Sequence, residues 1–317
     1  VGSKIYELHK KVPEEDCEIE WITIQNRIGL QSYQRSAVFM LLKAFFHHCK
    51  GVKGFNVTID YTLGGGFYGY ISGEQKLTTE LLSKVKSTMQ DYVKAEMPIM
   101  KRNVSTEEAR KLFHRLGMHS KEQLFRFRMT SRVNIYSLGN FQDYFYGYML
   151  LNTSYITKFD LFPYGNGFIL LLPKEDNPGE LAEFRPMDKL YQVQKSSSKW
   201  ATEVGIKNIG ALNQKIVSGD PDSLILMQEA FFEKQIGNMA MEIAKKKKRL
   251  VLIAGPSSSG KTSFAKRLSI QLSALGKKPH AISVDNYFRG RDQAPRDEEG
   301  NYDFESIDNV DLPQFNE

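Results

Sequence analysis

Cysteine is nearly absent from this chain of 317 residues: only Cys17 and Cys49 occur. Two thiols exclude a disulfide framework and argue against a cysteine zinc site. Long apolar runs are lacking too. The longest, such as Phe168–Pro173 and Leu250–Ala254, fall far short of the roughly 20 residues that span a bilayer. The first residues lack the charged-then-apolar pattern of a secretory signal. There is no internal repeat and no low-complexity tract. These absences read as a cytoplasmic protein that does not contact a membrane. Charge of one sign is not in large excess either. A formal net charge of +6 permits nucleotide or RNA binding without arguing for it. The densest basic run, Lys245–Arg249, suits a helix C-terminus, where cations complement the dipole; a nucleic-acid patch is the sharper alternative.

The length predicts about two domains, each large enough for a core. "SYQRSAVFMLLKAFF" (32–46) reads as a helix capped by Ser32, with Val38, Leu41, Leu42 and Phe45 on one face. "FNVTIDYTLGGGFYGYI" alternates, breaks at Gly64–Gly66 and resumes, which is a hairpin pattern. "LTTELLSKVKSTMQDYVKAEM" is helical up to a stop at Pro98. "STEEARKLFHRLG" has a capping Ser105, a Glu108 and a terminating Gly117. Val133–Pro173 is rich in aromatic and β-branched residues and predicts several antiparallel strands. The order is that of an α+β domain. A polar, proline-bearing stretch places a domain edge near 185–200. A helical connector then starts at Asp220 and Pro221, with a buried stripe of Ile225, Phe232, Ile236, Met239 and Ile243.

The chemistry lies in Gly255-Pro-Ser-Ser-Ser-Gly260-Lys261-Thr262, which fits G-x-x-x-x-G-K-[ST]. An expected strand, Leu250–Ala254, precedes it. A helix with Phe264, Leu268, Leu272 and Leu275 on one face follows, and Gly276 ends it. Glycines let backbone N–H groups of the loop, including Ser257, Ser258, Ser259 and Gly260, turn towards phosphate oxygens. The helix start, with Lys261, Thr262 and Ser263, adds partial positive charge. Lys261 is expected on the β- and γ-phosphates of ATP, and the Thr262 hydroxyl on Mg²⁺. "PHAISV" is a second expected strand, ending at Asp285. Ligands of open α/β sheets bind at such carboxyl ends. Asp285 is therefore the candidate general base for a hydroxyl attacking the γ-phosphate. Among Asp303, Glu305, Asp308 and Asp311, spacing does not decide which faces a ligand and which are helix caps.

"IAGPSSSGKTSFAKRLSIQL", "SVDNYF" and "YDFESIDNVDL", in that order over 250–317, resemble the uridine kinase and phosphoribulokinase family. The resemblance implies an α/β P-loop domain truncated behind its front part, so that the present fragment is expected to be inactive alone. It places Asp285 at the general-base position, Phe288 near the nucleoside base and Asp303 at the ribose hydroxyls. Residues 20–172 resemble a different family, the second additional domain of threonyl-tRNA synthetases. "RSAVFMLLKAFF", "GGGFYGYI", "LTTELLSKVKSTMQDYVKAEMPI", "VSTEEARKLF" and "IYSLGNFQDYFYGYMLLNTSYITKFDL" carry the likeness. That family has an H-x-x-x-H pair followed by a Cys and a His. The matching positions are read here as Arg35, Phe39, Ser137 and Phe141, which implies no zinc site. The adjacent His47 and His48 point about 100° apart on a helix and do not replace it.

The expected organisation is therefore residues 1–20 as the tail of a small N-terminal domain or a linker, 21–195 synthetase-like, 196–249 a helical connector, and 250–317 kinase-like. The expected function is ATP- and Mg²⁺-dependent phosphoryl transfer to a hydroxyl of a uridine-like nucleoside by the parent protein. The alternative is an RNA- or nucleotide-binding module with a non-catalytic P-loop. RNA is a compatible partner for the front domain, and no membrane is expected.

Overall fold

The computed structural model describes residues 5–8, 10, 18–256, 258–290, 293–297, 300–304 and 306–317. The chain divides into two compact units, Val1–Val217 and Ser218–Glu317.

In the first unit, helix α1 (Arg27–His48) is apolar on nearly every side and buries Leu30, Tyr33, Ala37, Phe39, Met40, Leu41, Ala44 and Phe45. A helix apolar all round belongs inside a core. It starts five residues before Ser32, because Asn26 is the cap and accepts the Ile28 N–H at 2.9 Å. Ser32 instead bonds back to the Ile28 carbonyl within the helix. Gly29 disguises this start in the sequence. It is present because a Cβ there would meet the Thr23 carbonyl oxygen at 2.0 Å. Close approach, and not chain breaking, is its role.

Strands β1 (Asn56–Leu63), β2 (Gly66–Ser72), β6 (Asp160–Tyr164) and β7 (Gly167–Leu171) form an antiparallel sheet in the order β1-β2-β7-β6. Gly64 and Gly65, both with positive φ, make the β1–β2 turn. Strands β3 (Ile99–Ser105), β4 (Arg132–Leu138) and β5 (Phe141–Tyr144) form a second antiparallel sheet. Helix α1 touches both. Its Phe45 ring packs on Phe168 of β7 with centroids 5.0 Å apart, and its Phe39 and Phe46 pack on Phe141 of β5 at 5.6 and 5.2 Å. Helix α2 (Thr79–Lys94) closes the same core through Leu82, Val85 and Met89. It ends at Lys94, before the expected stop at Pro98, and the chain turns through Glu96 at φ 48°.

β4 has two apolar faces. Tyr136 and Leu138 join the α1 core, while Val133 and Ile135 pack with Ala109, Leu112, Phe113 and Phe125 in a second cluster. The helices of that cluster are α3 (Thr106–Arg115) and α4 (His119–Arg126). Ser105 caps α3 by accepting the Glu108 N–H at 3.1 Å, and Gly117 follows it at φ 69°. Helix α5 (Asp188–Glu203) covers the outer face of the first sheet through Tyr191. Helix α6 (Ile209–Val217) packs on α4, with Gly210 allowing the close approach to Leu124.

In the second unit, helix α7 (Pro221–Lys245) packs on α8 (Lys261–Ala274) around Ile236, Ala240 and Leu268. The expected stripe on α7 is buried only at Ile236. Ile225, Phe232 and Met239 are exposed, because α8 covers only part of the longer α7. The two expected strands are absent from the described residues: 250–254 and 279–284 join no ladder. Leu250 and Leu252 stand 75% and 84% exposed. A strand of a parallel sheet is covered on both faces, and here only Ile253 reaches an apolar cluster. A 3₁₀ turn at Val284–Tyr287 leads to a bridge between Phe288 and Val310, and helix α9 (Leu312–Asn316) packs its Phe315 on Tyr287. No helix among the described residues is long and apolar enough to cross a membrane.

Two substitutions test this core. Met89→Ala, at a position with no solvent exposure, is expected to lower unfolding stability by about 2–5 kcal/mol in urea. Ser105→Ala is expected to cost about 1 kcal/mol by removing one cap.

Candidate functional site

The second unit carries the glycine loop. Helix α8 begins at Lys261, and its cap residue Gly260 sits at φ 85° and ψ 19° with no side-chain cap. Ser258 also has positive φ, at 61°. The first N–H groups of α8, those of Lys261, Thr262 and Ser263, therefore receive no capping oxygen from Gly260. The Lys261 Nζ folds back and donates to the Gly255 carbonyl at 2.7 Å and the Pro256 carbonyl at 3.0 Å. At Gly255 a Cβ would meet the Ser259 Oγ at 2.8 Å. Ser257 lies outside the described residues.

Other expected site residues are placed as follows. Asp285 is exposed in the 3₁₀ turn, and Phe288 is 41% exposed just after it. Among the described residues no hydrogen bond or ion pair joins Asp285 to Lys261. The Asp303 carboxylate accepts the Ser306 N–H at 3.1 Å, and Asp311 caps α9 through the Gln314 N–H at 3.1 Å. Both thus do the turn-closing work of short acidic side chains. Glu305 lies outside the described residues.

The first unit holds a more enclosed polar site, between α1, β3, β4 and the segment after β5. The Arg35 Nε donates to the Tyr148 carbonyl at 3.1 Å, and its guanidinium lies against Gly147, where a Cβ would sit 2.8 Å from Cζ. The Phe39 ring meets Phe145 at 5.4 Å as well as Phe141. Ser36 accepts the Leu150 N–H at 2.9 Å, and its Oγ lies 3.9 Å from the Met149 sulfur. Phe141 thus packs on Phe39, but Ser137 does not join it. Side chains alternate along a strand. Ser137 falls on the face of Val133 and Ile135, away from Tyr136 and Leu138. Phe145 and Met149 line α1 here, against Phe39 and Ser36. Among the described residues no group of three or more His, Cys, Asp or Glu is arranged to hold a metal. His114 and His119 both turn to Glu122, at 3.0 and 3.7 Å.

Three polar residues of this site carry no sequence motif: Glu7, Lys101 and Tyr136. Glu7 is 7% exposed, and its Oε2 lies 2.5 Å from the Lys101 Nζ. Its Oε1 accepts the Met149 N–H at 3.3 Å and lies 3.0 Å from the Tyr136 hydroxyl. Burial, and then the Glu7 carboxylate, raise the Tyr136 hydroxyl above its ordinary range and keep it a neutral donor. Burial pulls Arg35 down, and Tyr136 and Glu7 partly restore it. The alternation of β4 would have found Tyr136. Nothing in the sequence links Glu7 to it across 129 positions.

No family model matches the chain. In direct comparison it is similar to the threonine–tRNA ligase of Thermotoga petrophila, 30% identical over 162 residues, which is 51% of this chain and 25% of the relative. It is 32% identical over 148 residues to threonine–tRNA ligase 1 of Bacillus subtilis, covering 46% of this chain and 23% of that one. The ligase of Syntrophotalea carbinolica is 31% identical over 150 residues. The chain therefore spans about a quarter of the length of these relatives. About half of the chain is threonyl-tRNA-synthetase-like, and the mixed α+β architecture with antiparallel sheets is consistent with such a region towards the N-terminus.

Arg35, Phe39, Phe145 and Met149 present one cation, two rings and a thioether, a set that does not bind zinc. Elemental analysis of the purified protein is expected to give far less than one zinc per chain. Stoichiometric zinc would contradict this assignment.

Proposed function

We propose that residues 250–317 are the phosphate-binding front of an ATP-dependent kinase that phosphorylates a hydroxyl of a uridine-like nucleoside. The observation that carries the reading is the start of α8: a glycine at φ 85°, no side-chain cap, and Lys261 held on loop carbonyls. Uncapped helical N–H groups beside a lysine suit a phosphate chain. The residues present fit the nucleotide. Lys261, Thr262, Ser263 and the loop 255–260 would hold ATP, with Mg²⁺ on the Thr262 hydroxyl. When bound, that pair supplies the phosphoryl group and charge neutralisation.

The chain's own groups then divide the work. Lys261, now on the Gly255 and Pro256 carbonyls, would hold phosphate oxygens and would offset charge developing in transfer. Asp285, solvated in its turn, accepts the proton of the attacking hydroxyl. Asp303 orients the sugar, giving up its bond to the Ser306 N–H, and Phe288 offers an exposed ring to the base. A second reading draws on the similarity to threonine–tRNA ligases: the first unit binds RNA, and the glycine loop reads nucleotide without transfer.

Asp285→Asn is expected to keep ATP affinity and to reduce nucleoside phosphorylation about 10²–10⁴-fold. Lys261→Ala should weaken both binding and turnover, since its charge meets the phosphates in ground and transition states alike. Wild-type turnover in Asp285→Asn would overturn the catalytic assignment. ATP binding with no phosphorylation of any nucleoside by the wild type would favour the second reading.

A further inference from the structure

The polar site of the first unit is built around a carboxylate. Tyr136 is 1% exposed and anchored in the α1 core, and its hydroxyl also lies 3.0 Å from the Gly147 carbonyl. The Met149 N–H is backbone. Lys101 projects from β3, where its ammonium also stands 5.6 Å from the centre of the Tyr136 ring. Arg35 is fixed on the Tyr148 carbonyl. Two donors from the fold and the Lys101 ammonium thus meet one anion, and the Arg35 guanidinium acts on it electrostatically. Without a carboxylate, the Tyr136 hydroxyl would keep only the Gly147 carbonyl, and the Met149 N–H and the Lys101 ammonium would have to be satisfied otherwise.

The group that fills the site behaves as a ligand would. Of its described neighbours, Ile5 is half-buried and Tyr6 and Leu8 are exposed. Tyr6 is 40% and Leu8 57% exposed, whereas the Glu7 side chain is 3% exposed. Ordinary segments dock through their apolar residues and leave the charges in water. Here the order is reversed, and the segment is held by its carboxylate.

We propose that this pocket is a binding site for a small carboxylate, and that Glu7 is a tethered occupant that excludes free ones. The inference is independent of the phosphoryl-transfer reading, which concerns the other unit. The ligand class is a monocarboxylate of about the size of acetate. An amino acid offers the same carboxylate, but brings an ammonium towards Lys101 and Arg35 and is expected to bind more weakly.

The test is chemical rescue in the full chain. Glu7→Ala is melted in 0–100 mM sodium acetate, in glycine, and in sodium chloride at matched ionic strength. Acetate is expected to raise its melting temperature saturably by about 2–4 °C. Chloride should not, and the wild type, already occupied, should not respond to acetate. Adding Lys101→Met to Glu7→Ala should abolish the rise. Stabilisation by glycine as well would support the site and extend it to amino acids. If Glu7→Ala does not fold, a chain lacking residues 1–10 is read in the same way. No response to acetate or glycine in the emptied protein, or an equal response in the wild type, would overturn the proposal.

Discussion

The burial of α1 on all sides is the constraint from which the first unit follows. A helix with no polar face needs cover in every direction. One sheet supplies Phe168 on one side, the other supplies Phe141, and α2 closes the gap with Val85 and Met89. Each sheet is antiparallel and lends α1 one face, so neither needs the crossover helices of a parallel sheet. The buried polar side chains of α1 are consequently all engaged. Ser36 bonds to Leu150, Arg35 to Tyr148, and the Tyr33 hydroxyl lies 2.7 Å from the Lys158 carbonyl. The segment after β5 is tied to α1 by these bonds, and that tie creates the carboxylate pocket.

What was legible in the sequence is what local chemistry decides. Ser105 with Glu108, the glycines of the first hairpin and the periodicity of α2 each act within a few residues of themselves. The elements they predict are present. The start of α1 was hidden because Gly29 answers to Thr23, a contact that no helix pattern encodes. Ser137 was misplaced for a related reason: its spacing to Phe141 suits a zinc pair, but the pleat of β4 turns it to the opposite face. Glu7 was illegible, since its partners come from three distant stretches. In the second unit α8 forms where a helix is expected, whereas 250–254 and 279–284 have strand-like composition without strands. A strand needs a ladder, which composition alone cannot supply.

The two candidate sites satisfy their charges in opposite ways. In the glycine loop a lysine rests on neutral carbonyls of its own loop, and these bonds are exposed. In the first unit a carboxylate is enclosed by a phenol, an amide and an ammonium. The first arrangement exchanges partners readily. The second holds its occupant by geometry, because every donor belongs to a packed element.

The passage from β4 to β5, just beyond that phenol, is set by a turn. β4 and β5 are joined by Gly139 and Asn140 between the paired Leu138 and Phe141, with Gly139 at φ 59°. A positive φ at the first of two loop residues is what tight hairpins of this hand require. One extra residue there would shift β5 by one step against β4, which β3 holds in register, and exchange the faces of β5. Phe141 would turn from the α1 core towards the α3–α4 cluster, and Tyr144 the other way. The two-residue loop is thus a counting device. It keeps two separate cores in phase along one strand, and a length change at this exposed tip would be felt in both at once.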